Sequence, residues 1–169
     1  MAIKKDKILL VPVKPVIQMN GYECGVACVQ TILGTRGLKS NRLSLKKKLG
    51  TNRSYGTLSG NIKSLLKDHG LKTKERFEAK IEDIEAELGK GKLCLVAYQA
   101  WGEKKYYAKL QSGHYSVVFG IEEDFLWLAD PFVKGDRVRY RVGVRKIRRS
   151  TFETRWVDAD GLDHWMLAV

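Results

Sequence analysis

The spacing of apolar residues changes near residue 90, and this change constrains the fold of the chain more than any other feature. Before it, apolar residues recur at steps of three and four, which places them on one face of an α-helix. Val26, Val29 and Leu33 follow this pattern directly after Cys24, and Gly37 is placed to end the helix. The same spacing predicts three further helices, over residues 41–49 with Asn41 as cap and Gly50 as stop, over residues 57–70 with Thr57 as cap, and over residues 81–88.

After residue 90 the sequence favours strands, because apolar and β-branched residues form short runs between turn-forming residues. Helices followed by strands are typical of an α+β fold. We predict a helical lobe over about residues 18–90, packed on an antiparallel sheet over about residues 91–169. A cleft between two such lobes is a natural binding site. The predicted strands cover residues 93–99, 114–121, 125–129, 138–142 and 166–169, with one earlier strand over residues 71–77.

The chain of 169 residues contains no internal repeat, low-complexity tract or linker, so we predict a single domain over residues 1–169. No apolar run approaches the roughly 20 residues of a membrane-spanning helix. The charged first residues are not followed by a secretory apolar segment, so no signal peptide is predicted. Three cysteines are too few, and odd in number, for a disulfide scaffold. A reducing compartment, the cytoplasm, is therefore expected.

The segment QMNGYECGVAC, from Gln18 to Cys28, carries the residues best suited to chemistry. Cys24 lies where a loop becomes the first predicted helix, and the unpaired amides and positive dipole end of a helix N-terminus favour a thiolate. A thiolate is the nucleophile that acyl transfer requires. Gln18 can direct an amide N–H to the same point and form an oxyanion hole with the Cys24 backbone N–H. Taken alone the motif is weak, and a buried structural cysteine is the alternative.

A histidine and a carboxylate further along the chain strengthen the interpretation. His114 opens one apolar strand, and Asp130 follows the next strand and precedes Pro131. If these strands form a hairpin, the chain returns to its starting level, and His114 and Asp130 become neighbours. The carboxylate would then fix the tautomer of the imidazole and stabilise the imidazolium. The alternative is a solvated histidine and a surface Asp-Pro turn.

Four further residues are candidates for substrate binding. Gly25 leaves the neighbouring sulfur open and lets a peptide backbone approach it closely. Gly113 and Tyr115 flank the histidine where the cleft is expected. Trp101, in a segment rich in Lys and Tyr, can wall a substrate groove or pack on other aromatic side chains.

Cys24 and Cys28 lie four residues apart on one helical face, which raises the question of a metal site. No further ligands follow at the spacing of a zinc site. We therefore expect neither a metal nor a cofactor, and we interpret Cys28 as a small core residue.

The formal net charge is +12, and Lys and Arg concentrate over residues 39–53 and 134–155. Such surfaces attract polyanions, acidic peptides or anionic lipid heads. Aromatic residues do not interleave with the basic stretches, and no nucleic-acid-binding motif is present, so no nucleic-acid partner is expected. We interpret the second stretch as a surface that attracts an acidic peptide segment, and a solvated basic face is the alternative. Its central cations are Arg145, Lys146, Arg148 and Arg149.

The motifs resemble those of the bacteriocin-processing, double-glycine leader peptidases. The similarity lies in the spacing from Gln18 to Cys24 with the letters ECGVA, in HYSVVFG starting at His114, and in ADP around Asp130. Weaker matches extend over nearly the whole chain. By this resemblance Gln18 is the oxyanion-hole residue, and Cys24, His114 and Asp130 are the catalytic residues. The resemblance also implies a papain-like fold and cleavage after a Gly-Gly pair in a peptide leader.

Most members of that family are the cytoplasmic N-terminal domain of an ABC exporter. The sequence ends at Val169 without a transporter, so a stand-alone enzyme or an excised domain is expected. Residues 101–111 and 156–165 look more like the stand-alone relatives.

Together these features predict a cysteine peptidase that hydrolyses peptide bonds through an acyl-enzyme, after a Gly-Gly-type leader motif. Its expected substrate is a leader-bearing peptide, and an ABC exporter is a candidate partner. The alternative is a module that binds a leader and presents it to an exporter without cutting it.

Overall fold

The computed structural model describes residues 8–134, 142–159 and 161–169. Helices dominate the first half of these residues, and none of them is long and apolar enough to cross a bilayer. The bounds of the six described helices are Cys24–Thr35 for α1, Arg42–Lys48 for α2, Ser59–Asp68 for α3, Ile81–Leu88 for α4, Lys104–Tyr107 for α5 and Arg149–Glu153 for α6.

Nine strands occur in the described residues: β1 Ile8–Leu10, β2 Lys74–Arg76, β3 Cys94–Gln99, β4 Gly113–Glu122, β5 Phe125–Ala129, β6 Val144–Arg148, β7 Val157–Asp158, β8 Leu162–Asp163 and β9 Met166–Ala168. Seven of them form one sheet, in which the order is β2-β9-β3-β4-β5-β6 and β1 pairs with the far end of β4. All of the pairs are antiparallel. The strands β7 and β8 form a separate hairpin.

The structure confirms the predicted α+β class, with a mainly helical first half and an antiparallel sheet in the second. Helix α1 packs against β4, and this contact buries the apolar face of the helix. One hydrophobic cluster joins α1, α3 and α4 to the central strands. This shared core supports the prediction of a single domain over residues 1–169, which stays a prediction.

The predicted helix caps have different outcomes. Asn41 caps α2, since its side-chain oxygen accepts the Ser44 N–H at 3.0 Å. Gly50, after α2, has a φ of +65°, the left-handed conformation that ends a helix at little cost in glycine. Thr57 does not cap α3, because Leu58 is the N-cap residue. The Thr57 hydroxyl lies 2.7 Å from the hydroxyl of Thr51 instead, in a buried position.

Among the predicted strands, residues 125–129 agree with β5, and residues 71–77 shorten to β2. Residues 138–141 of the strand predicted over 138–142 lie outside the described residues. Strand β6 was not predicted because its sequence VRKIR carries three cations, which obscure the alternation of a half-buried strand.

A buried carboxylate on α4 holds three lysines at the edge of the fold. Glu87 is 3% exposed, and its oxygens lie 2.7 Å from Lys74 Nζ, 3.0 Å from Lys90 Nζ and 3.3 Å from Lys92 Nζ. Burial raises the pKa of Glu87, but hydrogen bonds from the three lysines outweigh this effect and lower it to about 2.

We expect Glu87 to make the stability of the protein depend on pH under acidic conditions. Its pKa is lower in the folded chain, so its contribution is present above pH 4.5 and lost as the pH falls toward 2. The loss is on the order of 1–3 kcal/mol, reduced by the solvent exposure of the lysines. Denaturant unfolding between pH 5 and pH 2 should therefore show a smaller pH dependence in Glu87→Gln than in the native chain. Glu82→Gln, at an exposed position of α4, is the matched control, and an equal slope in both variants would contradict the assignment.

Candidate active site

Cys24 is the first residue of α1, as the sequence predicts, and its side chain is half-buried. The N-cap residue Glu23 makes no capping hydrogen bond with its side chain. The amides of the first turn and the positive end of the 12-residue helix are thus directed to the region of the sulfur. Cys28, one turn later, is buried, and burial together with the charges of Cys24 and Asp130 raises the pKa of its thiol. Of the two cysteines on this helix, only Cys24 is accessible to a substrate.

The loop that leads into Cys24 is anchored by the buried carboxylate of Glu23. Its oxygens lie 2.5 Å from Arg42 Nη1 and 2.8 Å from Lys46 Nζ, both on α2, and they accept the Asn20 side-chain N–H at 2.8 Å. Burial raises the pKa of Glu23, but hydrogen bonds from Lys46, Arg42 and Asn20 bring it below its usual value. The carboxylate thereby fixes the start of α1 against α2.

The hairpin of β4 and β5 brings His114 and Asp130 together. Val117 pairs with Ala129, so His114 and Asp130 lie at the same end of the two strands. Nε2 of His114 lies 2.8 Å from Oδ1 of Asp130, and neither side chain is more than 2% exposed. The contact between His114 and Asp130 that the hairpin predicts is therefore present, and both side chains are buried rather than solvated.

Three further groups surround Asp130. Its Oδ1 also accepts the Phe132 backbone N–H at 3.0 Å. Its Oδ2 lies 2.7 Å from Arg145 Nε and 3.4 Å from the Tyr98 hydroxyl. Burial raises the pKa of Asp130, but the hydrogen bond with His114 and the charges of His114 and Arg145 keep it below its usual value. The carboxylate is therefore ionised at neutral pH.

The imidazole of His114 contacts Asp130, lines the same cavity as Cys24 and has an aromatic environment. Its ring centroid is 5.0 Å from that of Trp101 and 6.5 Å from that of Phe132. Burial alone would lower the pKa of His114, but its interactions with Asp130 and with the Cys24 side chain raise it to about 9. The ring is consequently an imidazolium at neutral pH. Because Nε2 faces Asp130, Nδ1 is the nitrogen left for the sulfur.

Gln18 is buried, and both its backbone and its side chain are fixed by hydrogen bonds. Its backbone N–H donates to the Pro131 carbonyl at 2.9 Å, which ties the loop to the residue after Asp130. Its Nε2 donates to the Asn20 carbonyl at 2.6 Å, and Oε1 has no hydrogen-bond partner within the described part of the chain. An amide nitrogen carries two N–H groups, so one remains for a ligand.

A cavity of about 330 Å³ opens beside Cys24 and His114, between the helical lobe and the sheet. Gly113 and Tyr115, two of the predicted substrate-binding residues, line this cavity. Other lining residues come from the loop before α3, from the loop before α1, and from the C-terminal segment: Tyr55, Gly56, Thr57, Leu58, Ser59, Gly21, Tyr22, Asp158, Ala159 and Leu162.

The other two predicted substrate-binding residues do not line the cavity. Gly25 is buried, and a Cβ atom there would lie 2.7 Å from Cβ of Thr57. The absence of a side chain at Gly25 is therefore required for packing against Thr57, not for the approach of a peptide to the sulfur. Trp101 is 41% exposed and covers His114 outside the cavity, with Phe132 at 5.2 Å between ring centroids.

The basic surface on β6 is only partly free, contrary to expectation. Arg145 is bound to the buried Asp130. Lys146 lies 2.9 Å from Glu122 and 4.8 Å from the centroid of the Trp127 ring. These two cations therefore cannot serve simply as a patch for an acidic peptide, because each one stabilises a contact within the protein.

Within residues 8–134, 142–159 and 161–169, no three His, Cys, Asp or Glu side chains are grouped closely enough to hold a metal ion.

Comparisons with known proteins identify the family and the fold of the chain. The model of the peptidase C39 family matches residues 12–159. A double glycine motif protease from an AMS/PCAT transporter, solved in complex with the leader peptide, superposes with a TM-score of 0.66 at 19% identity, over 94% of this chain and 91% of that chain. The peptidase domain of Streptococcus ComA, a bi-functional ABC transporter involved in quorum sensing, gives a TM-score of 0.67 at 20% identity, over 91% and 95%.

A C39-like peptidase from Bacillus anthracis gives a TM-score of 0.75 at 14% identity, over 98% of this chain and 97% of that chain. No curated protein matches the sequence. The fold is thus that of the papain-like cysteine peptidases. Within this class, the chain belongs to the peptidase C39 family.

Proposed function

We propose that this protein is a cysteine endopeptidase in which Cys24 is the nucleophile, His114 the general acid and base, and Asp130 the residue that orients His114. The observation that carries the proposal is the position of the His114 ring, which contacts Asp130 through Nε2 and lines the same cavity as Cys24. A half-buried thiol at a helix N-terminus beside a buried imidazolium is the arrangement that stabilises a thiolate.

The reaction follows from these positions. The Cys24 thiolate attacks the carbonyl carbon of the scissile peptide bond, and the carbonyl oxygen becomes an oxyanion. As the C–N bond breaks, the His114 imidazolium gives its proton to the leaving amine and an acyl-enzyme remains. A water molecule then loses a proton to His114 and attacks the thioester, which releases the acid and restores the thiolate with the imidazolium. Asp130 holds the ring in place throughout.

We further propose that Gln18 and the Cys24 backbone N–H stabilise the oxyanion. Gln18 is fixed by Pro131 and Asn20, so its second amide N–H is held without a large entropic cost. Gln18→Ala should lower kcat by about 10²- to 10³-fold with a smaller effect on KM, because the contact forms only in the transition state. Steady-state kinetics would check this result. The same substitution at the exposed Gln111 is the matched control, and a change of only about twofold at Gln18 would remove it from the role.

The pKa of His114 sets the alkaline limit of activity. The imidazolium is present below its pKa of about 9 and is lost above it, so kcat/KM should fall as the pH rises past 9. The acid limit belongs to the coupled groups of the site, Asp130 included. A pH profile of kcat/KM, with circular dichroism to verify folding at each pH, would measure this limit. An alkaline limb near pH 6.5 would contradict the pairing of His114 with Asp130 and Cys24.

We propose a peptide with a Gly-Gly-type leader motif as the substrate. A cavity of about 330 Å³ lined by Tyr22, Tyr55 and Tyr115 favours residues without large side chains beside the scissile bond. The double glycine motif protease of the AMS/PCAT transporter supports the same substrate class. We also propose a reducing, cytoplasmic location, in accord with three free thiols, and an ABC exporter as a partner.

A peptide library, with the cut sites mapped by mass spectrometry, tests this function. Cleavage after Gly-Gly, lost when both glycines are replaced by alanine, is the expected result. Cleavage elsewhere would contradict the substrate but not the chemistry. Tight binding of a leader peptide without any cleavage would instead identify a module that presents the leader.

A further inference from the structure

The carboxylate of Asp130 is held by an arginine that the reaction above does not use. Asp130 is 0% exposed, and a buried carboxylate is costly unless it is paired and hydrogen-bonded. Its two oxygens have separate partners: Oδ1 contacts His114 and the Phe132 N–H, and Oδ2 contacts Arg145 and Tyr98. The partners on Oδ2 therefore determine which way Oδ1 points.

Arg145 differs from the other groups around Asp130 in the permanence of its charge. The titratable side chains that face the pair are Cys24 and Cys28 from α1, Tyr98 from β3 and His114 from β4. Burial raises the pKa values of Cys28 and Tyr98, so both stay neutral. His114 loses its proton to the leaving group during each turnover. Among the described residues, Arg145 is then the permanent cation left on Asp130, since a guanidinium stays charged at any working pH.

The guanidinium is fixed in position by a second contact. Arg145 lies on β6 opposite Leu128 of β5, and its Nε lies 2.7 Å from Asp130 Oδ2. Its Nη1 donates to the Ala100 carbonyl at 2.9 Å. Ala100 directly precedes Trp101, whose ring lies 5.0 Å from that of His114. One planar group thus connects the carboxylate to the segment that covers the imidazole.

We propose that Arg145 is a positioning residue of the active site, which keeps Asp130 ionised and directs its Oδ1 at His114 while the charge of His114 changes. This inference rests on the proposed peptidase function. A lysine could supply the charge, but it could not make the two directed contacts of the guanidinium.

Two substitutions separate the charge from the geometry. Arg145→Gln removes the cation, so Asp130 should take up a proton more easily and the acid limb of the pH profile should move to higher pH. Its kcat should fall by about 10- to 100-fold. Losses of this size are found in metalloenzymes when the hydrogen-bond partner that orients a metal-ligating side chain is removed. Arg145→Lys should keep the acid limb near its native position and still lower kcat, with little change in KM. Arg76→Gln, at an exposed arginine that pairs with Asp83 on the opposite edge of the sheet, is the matched control.

The test uses two readouts on the full chain: kcat and KM for a cleaved peptide, and the rate of Cys24 alkylation by iodoacetamide as a function of pH. An unreactive Cys24 in the native protein would overturn the peptidase function and this inference with it. A reactive native Cys24, with kcat and acid limb unchanged in both Arg145 variants, would overturn only the role of Arg145. Loss of thermal stability with unchanged kcat and acid limb would do the same. If Arg145→Gln does not fold, the kcat of Arg145→Lys decides.

Discussion

Cys24→Ala is expected to reduce peptide hydrolysis by roughly 10⁵- to 10⁶-fold, to a background set by binding alone. The methyl group cannot attack a carbonyl, so the reaction loses the nucleophile that the proposal assigns to it. Substrate binding should persist, because Cys24 is only one of the residues that line the cavity. Fluorescence anisotropy of a labelled leader peptide and its cleavage, measured side by side, would show binding without turnover.

Cys28→Ala is the matched control for this result. It makes the same substitution on the same helix, but the Cys28 thiol is 1% exposed and lies in the core. We expect a small loss of stability and nearly native kcat. Full activity in Cys24→Ala, or equal losses in the two variants, would contradict the assignment of Cys24 as the nucleophile.

His114→Ala should cause a loss of similar size, for two reasons. The leaving amine loses its proton donor, and the sulfur loses the cation that stabilises its thiolate. Because the two residues act as one unit, the double variant Cys24→Ala/His114→Ala should be no less active than either single variant. Kinetics of the three variants, with thermal unfolding to verify the fold of each, would establish the coupling.

His164→Ala is the control for the histidine. Its ring packs on Trp156 at 5.3 Å between centroids and is 39% exposed, away from the cavity. Activity should stay near the native level. A loss in His114→Ala of less than about tenfold would indicate that the imidazole takes no part in the reaction.

Local sequence signals were sufficient to place much of the fold and the site. Helix α1 and the cap of α2 follow from apolar spacing and from Asn41, since both depend on residues close together in the chain. The contact of His114 with Asp130 follows from the return of a hairpin, which is also a local property. The resemblance of the motifs to a known family pointed to the same residues, and the family was confirmed.

The groups that support the site could not be predicted, because they come from distant parts of the chain. Tyr98 and Arg145 reach Asp130 from strands on either side of the hairpin, and their register in the sheet decides the contact. Arg145 was instead assigned to a basic surface, since charge in a sequence carries no information about burial. The packing of Thr57 against Gly25 likewise depends on how the loop before α3 meets α1. A glycine beside a cysteine gives no local sign of whether it faces a ligand or a side chain.

The rate of alkylation of Cys24 by iodoacetamide at pH 6 tests the central claim most directly, because it requires no knowledge of the substrate. If the sulfur is a thiolate paired with the His114 imidazolium, the folded protein should be modified at Cys24 and not at the buried Cys28 or Cys94. Mass spectrometry of the digested protein would locate the label, and His114→Ala should slow the reaction strongly. A Cys24 that stays unmodified at pH 6, or that reacts equally fast without His114, would contradict the account.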